Sequence, residues 1–189
     1  MQRPYKIEGY AIVSTDGMLA NAHGIMPDVL KIDADQQFFA RGLDGADAVV
    51  HGRHSHENQP HSPGRRRLIL TRRVPAVAPD SSNPKALFWN PAGCTWDEAL
   101  RALGVERGVI GIIGGTDVFG LFLPIGYDAF HLSRAARVSL PGGRPVFPDV
   151  PARTPEDVLA GHGLTPGPVQ VLDKAAGATL VTWRRQADF

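Results

Sequence analysis

Two glycine-marked junctions are the sequence features best suited to bind a charged ligand. The first is Gly114-Gly115, which follows the apolar run of residues 109–113 and precedes an apolar helical pattern beginning at Thr116. This order predicts a strand buried on both faces that turns into a helix. Such a helix presents unpaired N–H groups and its positive dipole end, and phosphate is the ligand that suits them. A simple tight turn is the alternative interpretation of the two glycines.

The second junction, Gly52-Arg53-His54-Ser55, repeats the same order after the buried-strand pattern ADAVVH at residues 46–51. A third strand pattern, RLILT at 67–71, ends in Thr71-Arg72-Arg73. Guanidinium groups match phosphate geometry well, and ligands of parallel sheets collect at the carboxyl ends of the strands. The sequence therefore predicts anion binding along one sheet edge. A solvated surface is the other interpretation of these arginines.

One carboxyl group is a candidate for acid–base chemistry. Residues 33–42 (DADQQFFARG) predict a short helix with Asp33 as N-cap and Gly42 after its last turn. Asp35 falls in the first turn, and Phe39 lies one turn further on the same face. An acid at this position can serve only to favour the helix dipole. Beneath a ligand it would be the single carboxylate of an apolar pocket.

Composition limits the classes of protein to which the chain can belong. Its 189 residues suit one domain, residues 1–189, and 43% are hydrophobic, as in ordinary soluble proteins. The formal net charge of +1 argues against a general nucleic-acid binder. We expect no membrane segment and no secretory signal. The single cysteine, Cys94, excludes an internal disulfide and agrees with a cytoplasmic location.

Strand and helix patterns alternate along the chain. Further strands are predicted at 5–13, 87–89 and 127–133, helices at 95–103 and 116–123, loops at 18–32, 74–85 and 147–165, and a hairpin at 169–173 and 178–183. Thr95 and Glu98 form a capping-box pattern. These patterns predict an α/β domain in three layers, with a mostly parallel central sheet and an antiparallel C-terminal edge.

Several of these local patterns occur together, in order, over nearly the whole chain. They are the segments Ser14-Thr15-Asp16-Gly17 with Leu19-Ala20, Asp35 with Phe39, residues 46–55, Pro63-Gly64-Arg65 with residues 68–72, Gly114-Gly115 with Val118-Phe119, and Phe147-Pro148. In this combination the chain resembles the dihydrofolate reductase superfamily, which includes the reductase domain of the riboflavin-biosynthesis deaminase-reductases.

The resemblance implies a dihydrofolate reductase-like fold and NADPH as cofactor. Positions that match the cofactor-binding segments of the family are Asp16, Gly17, Gly52, Arg53, His54, Ser55, Thr71, Arg72, Gly114, Gly115, Thr116, Asp117 and Val118. In the family, Gly114-Gly115 would carry a cis peptide bond below the pyrophosphate, and Thr71 with Arg72 would lie near the adenosine 2′-phosphate. The cofactor supplies a hydride, so the protein must align two rings and exclude water.

The resemblance also implies substrate-binding residues. Asp35 matches the single acid of the dihydrofolate reductases, which contacts the pterin and assists its protonation, and Phe39 matches a neighbouring substrate contact. Arg65 matches the arginine that pairs with the folate glutamate tail. In the riboflavin branch, which Ser14-Thr15-Asp16-Gly17 resembles more closely, Arg65 would meet a substrate phosphate instead.

The chain departs from the family pattern at two places. The residues before the helix differ, so that Asp33 is a second candidate for the family acid, although Asp35 with Phe39 has the better spacing. Arg144 replaces the acid that usually precedes the Phe-Pro pair. These departures put reduction of folate itself in question and leave an aminopyrimidine of the riboflavin pathway as the alternative substrate.

Other classes of function have less support in the sequence. The histidines at 51, 54, 56 and 61 lack a second cluster of metal ligands, so we expect no metal site. No G-x-G-x-x-G follows the first strand, which excludes a Rossmann domain. A non-catalytic NADPH-binding module stays open. The sequence thus predicts an NADPH-dependent reductase of a pterin or related pyrimidine, with a small-molecule partner and no nucleic acid or membrane; a homodimer is left open.

Overall fold

A nine-stranded sheet with helices on both faces forms the framework of the molecule. The structure, a computed structural model, describes residues 3–186, and the predicted domain of residues 1–189 extends beyond them at both ends. The strands are β1 (Tyr5–Val13), β2 (Met18–Ala20), β3 (Ala48–Gly52), β4 (Arg67–Leu70), β5 (Val77–Pro79), β6 (Ala86–Trp89), β7 (Gly108–Ile112), β8 (Ala129–Ala135), β9 (Arg144–Pro145), β10 (Leu164–Asp173) and β11 (Ala178–Arg185). The helices are α1 (Asp33–Asp44), α2 (Trp96–Leu103), α3 (Thr116–Ile125) and α4 (Pro155–Gly161), with 3-10 turns at Asp28–Leu30 and Ser62–Gly64.

The sheet is parallel at its centre and antiparallel at both edges. Its strand order is β10-β11-β8-β1-β7-β3-β4-β6-β5. The strands from β8 through β6 in that order are parallel, whereas β10, β11 and β5 run antiparallel to their neighbours. The predicted α/β fold with a C-terminal antiparallel edge is confirmed. The second antiparallel edge, β5, lies within the segment predicted as a loop.

Alternation along β1 divides the core into two layers. Ile7 and Val13 belong to the large cluster that contains α2 and α3, while Tyr10 packs with Leu43 and Val49 beneath α1. Residues an even number of positions apart on a strand face the same side, so α1 covers one face of the sheet and α2 with α3 cover the other. The sheet therefore holds α1 and α3 on opposite faces, near the same strand ends.

Helix α1 begins one residue earlier and ends later than the sequence predicts. Asp33 is its first helical residue, and the N-cap is Ile32, whose side chain makes no cap hydrogen bond. Gly42 lies inside the helix rather than after it, because Gly45 is the C-cap. The glycine has a packing reason, since a Cβ on Gly42 would lie 2.5 Å from Cε1 of Tyr10. The longer helix keeps Asp35 in its first turn, as predicted.

The other helices agree in part with the sequence. The capping box of α2 is present, with Thr95 N donating to Glu98 Oε2 (2.9 Å) and Glu98 N to Thr95 Oγ1 (3.4 Å). Helix α4 lies in a segment predicted to be irregular, where Thr154 caps it by accepting from Asp157 N. None of the helices within residues 3–186 is long and apolar enough to cross a membrane.

Candidate active site

An open cleft of about 1760 Å³ lies at the carboxyl ends of the parallel strands. Its floor is formed by residues at or just beyond the ends of β1, β3, β4, β7 and β8, and its sides by the starts of α1 and α3. Parallel strands end at the same edge, so this position is the one expected for a ligand site. Cofactor and substrate candidates from distant parts of the sequence meet here.

The two glycine-marked junctions are adjacent in space. Gly52 N donates to Gly114 O at 2.7 Å, which joins the end of β3 to the residues after β7. The Gly114–Gly115 peptide bond is cis, as the family resemblance implied, and Gly114 has a positive φ of 100°. Gly115 lies against Ser55, because a Cβ on Gly115 would be 3.2 Å from Ser55 Oγ. The junctions thus form one continuous backbone wall of the cleft.

Helix α3 directs its N-terminus into this wall. Its N-cap is Gly115, which has no side chain to cap it. Within the described residues, the N–H groups of Thr116, Asp117 and Val118 have no acceptor. The Thr116 hydroxyl donates to Pro145 O at 2.5 Å and so fixes the turn. Three free N–H groups at a positive helix end suit a phosphate.

Cationic side chains line the same part of the cleft. Arg53, Arg72 and Arg73 are exposed there, next to His54 and Thr71. Arg53 Nη2 lies 3.1 Å from His54 Nε2, and Thr71 Oγ1 accepts from Arg73 N at 3.1 Å. Their positive charge complements the free N–H groups. This half of the cleft is therefore suited to a ligand with several phosphates.

Asp35 is the carboxyl group of the opposite half. The residue is 6% exposed on the first turn of α1 and lines the cleft with Phe39. Burial raises the pKa of Asp35 to about 6, although a hydrogen bond with the Ser133 hydroxyl lowers it. Asp33 is exposed and lies outside the cleft lining. The structure therefore places Asp35, rather than Asp33, in the site.

Three predicted cofactor residues lie outside the cleft lining. Asp16, Gly17 and Gly114 are absent from the residues that line the cleft in the described part of the chain. The Asp16 carboxylate accepts from Ser14 Oγ (2.5 Å) and Leu140 N (2.9 Å), so it closes a turn. Gly114 contributes through its carbonyl bond to Gly52. Gly114 thus shapes the wall, whereas Asp16 and Gly17 lie in the turn before β2.

Arg65 does not reach the cleft either. Its side chain is 7% exposed, and its guanidinium pairs with Asp44 Oδ1 at 2.6 Å and Glu57 Oε2 at 2.9 Å. The sequence prediction placed this arginine against a substrate tail. The structure places it within a buried ion-pair cluster, because two carboxylates distant in sequence have already engaged it.

Several cleft residues were not predicted from the sequence. They include Tyr10, Gln36, Gln59, His131 and Ser133. Ser133 ends the strand predicted at 127–133, so its position at a carboxyl strand end was a usable signal. Gln36 follows Asp35 directly, whereas Gln59 lies in a loop without periodicity. Only the fold brings these two amides together.

The histidine-rich segment holds no metal-ligand cluster among the described residues. His51 is buried, and its Nδ1 donates to Gly52 O at 2.8 Å. Burial lowers the pKa of His51 to about 4, so the ring is neutral at pH 7. Its contact with Gly52 supports the glycine wall.

Solved structures of similar shape provide an independent comparison. A protein from Shewanella sp. PV-4, provisionally assigned to riboflavin biosynthesis, matches with a TM-score of 0.67 and 19% identity over 96% of this chain and 99% of its own. Dihydrofolate reductase from Enterococcus faecalis, complexed with NADP(H) and RAB-propyl, matches with a TM-score of 0.66 and 17% identity over 99% of this chain and 100% of its own. No family model and no curated sequence matches the chain. On the shared architecture of sheet and helices, the chain has the dihydrofolate reductase-like fold.

Proposed function

We propose that the protein is an NADPH-dependent reductase that transfers a hydride to a pterin or related pyrimidine. The observation that carries the proposal is the pairing, in one cleft, of a glycine wall joined by the Gly52–Gly114 bond with a buried acid, Asp35. The wall suits phosphates and the acid suits a ring that must be protonated. The fold shared with an NADP(H)-bound reductase supports the same assignment.

The residues of the glycine wall fit the cofactor. The free N–H groups of residues 116–118 would hold its pyrophosphate, and Arg53 with Arg72 would meet its remaining phosphate charge. Gly115 leaves space above Ser55 that a larger residue would fill. NADPH, when bound, supplies the hydride.

Asp35 would hold the proton and orient the substrate ring. With a pKa of about 6, the carboxyl group is partly protonated near neutral pH, unlike an ordinary aspartate. The Ser133 hydroxyl favours the ionised form of this carboxyl group and so limits the rise of its pKa. A buried carboxyl group can hydrogen-bond the ring nitrogens of a pterin or pyrimidine and deliver a proton at the ring.

A pyrimidine of the riboflavin pathway is the second candidate substrate. It is favoured by the Ser14-Thr15-Asp16-Gly17 turn, whose Asp16 closes the loop before β2, and by the similarity to the Shewanella protein. Either substrate would be reduced with the same cofactor. A test of NADPH oxidation with dihydrofolate, a dihydropterin and the ribosylaminopyrimidine therefore decides between them. Tight NADPH binding without oxidation in any of the three would favour a binding module.

The proposed role of Asp35 predicts a pH dependence. Because the protonated carboxyl is the donor and its pKa is about 6, kcat/KM should be level below pH 6 and fall as pH rises above it, approaching tenfold per pH unit. The profile is measured with saturating NADPH. A rate that rises through pH 6 would assign the ionised carboxylate the active role instead.

Gly115→Ala tests the glycine wall. The new Cβ would lie 3.2 Å from Ser55 Oγ and occupy the space proposed for the pyrophosphate. We expect NADPH to bind about tenfold or more weakly by fluorescence titration, with thermal stability nearly unchanged, since φ at this residue is −82°. Gly64→Ala is the matched control, because nothing lies within 4 Å of its added Cβ. Equal affinities of the two variants would place the pyrophosphate elsewhere.

A further inference from the structure

The wall of the cleft beyond Asp35 is polar and presents two glutamine amides. Gln36 follows Asp35 on α1, and Gln59 lies on the loop after the Gly52 junction; both line the cleft and are partly exposed. Gln59 Nε2 donates to Gln36 Oε1 at 3.0 Å. This bond leaves further donor and acceptor positions on both amides. The paired amides can therefore hydrogen-bond to hydroxyl groups, which also both donate and accept hydrogen bonds.

The positive charge behind this wall is fully neutralised. Arg65 and Arg67 supply two positive charges, and Asp44 and Glu57 supply two negative ones within 2.5–2.9 Å. The family resemblance implies that Arg65 meets the substrate tail. In this structure Arg65 belongs to a cluster whose net charge is zero. An anionic group placed here would lose water without gaining a free cation.

Two more cations, Lys31 and Arg144, lie on the rim of the cleft. Lys31 precedes α1, and its ammonium is bonded to Asp28 Oδ1 at 2.7 Å. Arg144 lies opposite Ala20 in the β2–β9 pair, and the carbonyl of its neighbour Pro145 is bonded to Thr116 at the start of α3. Its side chain extends towards the loop after β2, since its Nε lies 3.8 Å from the position of a Cβ on Gly24. Within the described residues, no hydrogen bond or ion pair joins Lys31 or Arg144 to Gln36 or Gln59.

We propose that the substrate carries an uncharged, hydroxyl-bearing side chain that hydrogen-bonds to Gln36 and Gln59. The inference rests on the proposed function and narrows its substrate class. It disfavours a glutamate tail and a phosphate ester at this position, because either would face the neutralised arginine cluster. A pterin or pyrimidine bearing a neutral polyol chain fits the amide pair.

A matched pair of substrates tests the inference. Dihydroneopterin carries a neutral hydroxylated chain, and its phosphate monoester carries a charged phosphoryl group on the same chain. With NADPH as cofactor, we expect kcat/KM for dihydroneopterin to be about tenfold or more higher than kcat/KM for the ester or for dihydrofolate. The reason is that a charged group at this position would lose water without gaining a partner of opposite charge. Preference for the ester or for dihydrofolate would overturn the inference and leave the proposed function intact.

Asp44→Asn provides a test by gain of activity. Removing this carboxylate leaves Arg65 and Arg67 with Glu57 alone, so the cluster gains one net positive charge. We expect kcat/KM for the phosphate ester to rise about threefold to tenfold, while that for the neutral compound changes less than about twofold. Asp149→Asn, which removes a carboxylate paired with Arg153 on an exposed turn, is the control and should change neither. An unchanged ester rate in Asp44→Asn would contradict the charge argument.

Binding separates the inference from the proposed function. Neopterin and its phosphate are titrated into the protein saturated with NADP+, where no turnover is needed. Tighter binding of the neutral compound without reduction of any substrate would overturn the proposed function and support the inference. Binding of neither compound would overturn the inference, whereas the proposed function would still be tested with the ribosylaminopyrimidine.

Discussion

Asp35→Asn should lower kcat/KM by about 10²–10⁴ while leaving the affinity for NADPH within about twofold of the original. The carboxyl is the buried acid on the substrate side of the cleft, and an amide cannot deliver its proton. The glycine wall and the arginines near it are on the other side and are unaffected. Steady-state kinetics and NADPH titration measure the two effects separately.

Asp33→Asn is the matched control, because Asp33 lies two residues earlier in the same turn and is exposed. It should keep nearly full activity. Comparable losses in both variants would point to the helix start rather than to Asp35. An Asp35→Asn variant as active as the original would remove the acid from the mechanism.

Asp35→Asn should also raise the free energy of unfolding above pH 6. The pKa of Asp35 is raised from 3.8 to about 6 by burial, so the folded protein holds this proton where the unfolded chain has lost it. Stability therefore falls as pH rises from about 4 to 6 and stays lower above, by roughly 3 kcal/mol from the size of the shift. Asn carries no charge, so Asp35→Asn should unfold at higher urea than the original protein at pH 8 and at similar urea at pH 4.

Glu57→Gln should destabilise the protein by about 3–5 kcal/mol. The Glu57 carboxylate is 4% exposed and bridges two buried guanidinium groups, at 2.5 Å from Arg67 and 2.9 Å from Arg65. Burial raises its pKa, but the hydrogen bonds, led by that from Arg67, bring the pKa below its usual value. Removing the charge leaves Arg67, which is 1% exposed, without its carboxylate. The loss is a large share of the stability of an ordinary domain.

Urea unfolding at pH 7 measures the effect of Glu57→Gln. Glu106→Gln is the control, because Glu106 is exposed, and its midpoint should stay close to that of the original protein. Glu57 also follows the Gly52–Ser55 junction, so we expect the variant to bind NADPH more weakly as the loop loosens. Equal midpoints for the two variants would show that the buried arginines are served by other groups.

Local patterns were sufficient wherever neighbouring residues decide the outcome. Tyr5–Val13 is the predicted strand, and Thr95 with Glu98 form the predicted cap of α2. The glycine junctions were visible for the same reason, since glycines between a buried strand and an apolar helix restrict what the backbone can form. Elements with weak periodicity, such as β5 and α4, were missed.

The amino-acid sequence by itself determined the parallel sheet, the two glycine junctions and an acid on the first turn of a helix, because each depends on residues a few positions apart. Only the tertiary structure decided that Gly52 and Gly114 join, that Asp35 is buried deeply enough to raise its pKa, and that Arg65 is neutralised by Asp44 and Glu57. The net charge of a cluster and the pKa of a carboxyl group depend on which groups distant in sequence lie within a few ångströms and on how much water reaches them. Only the folding of the chain determines these two conditions.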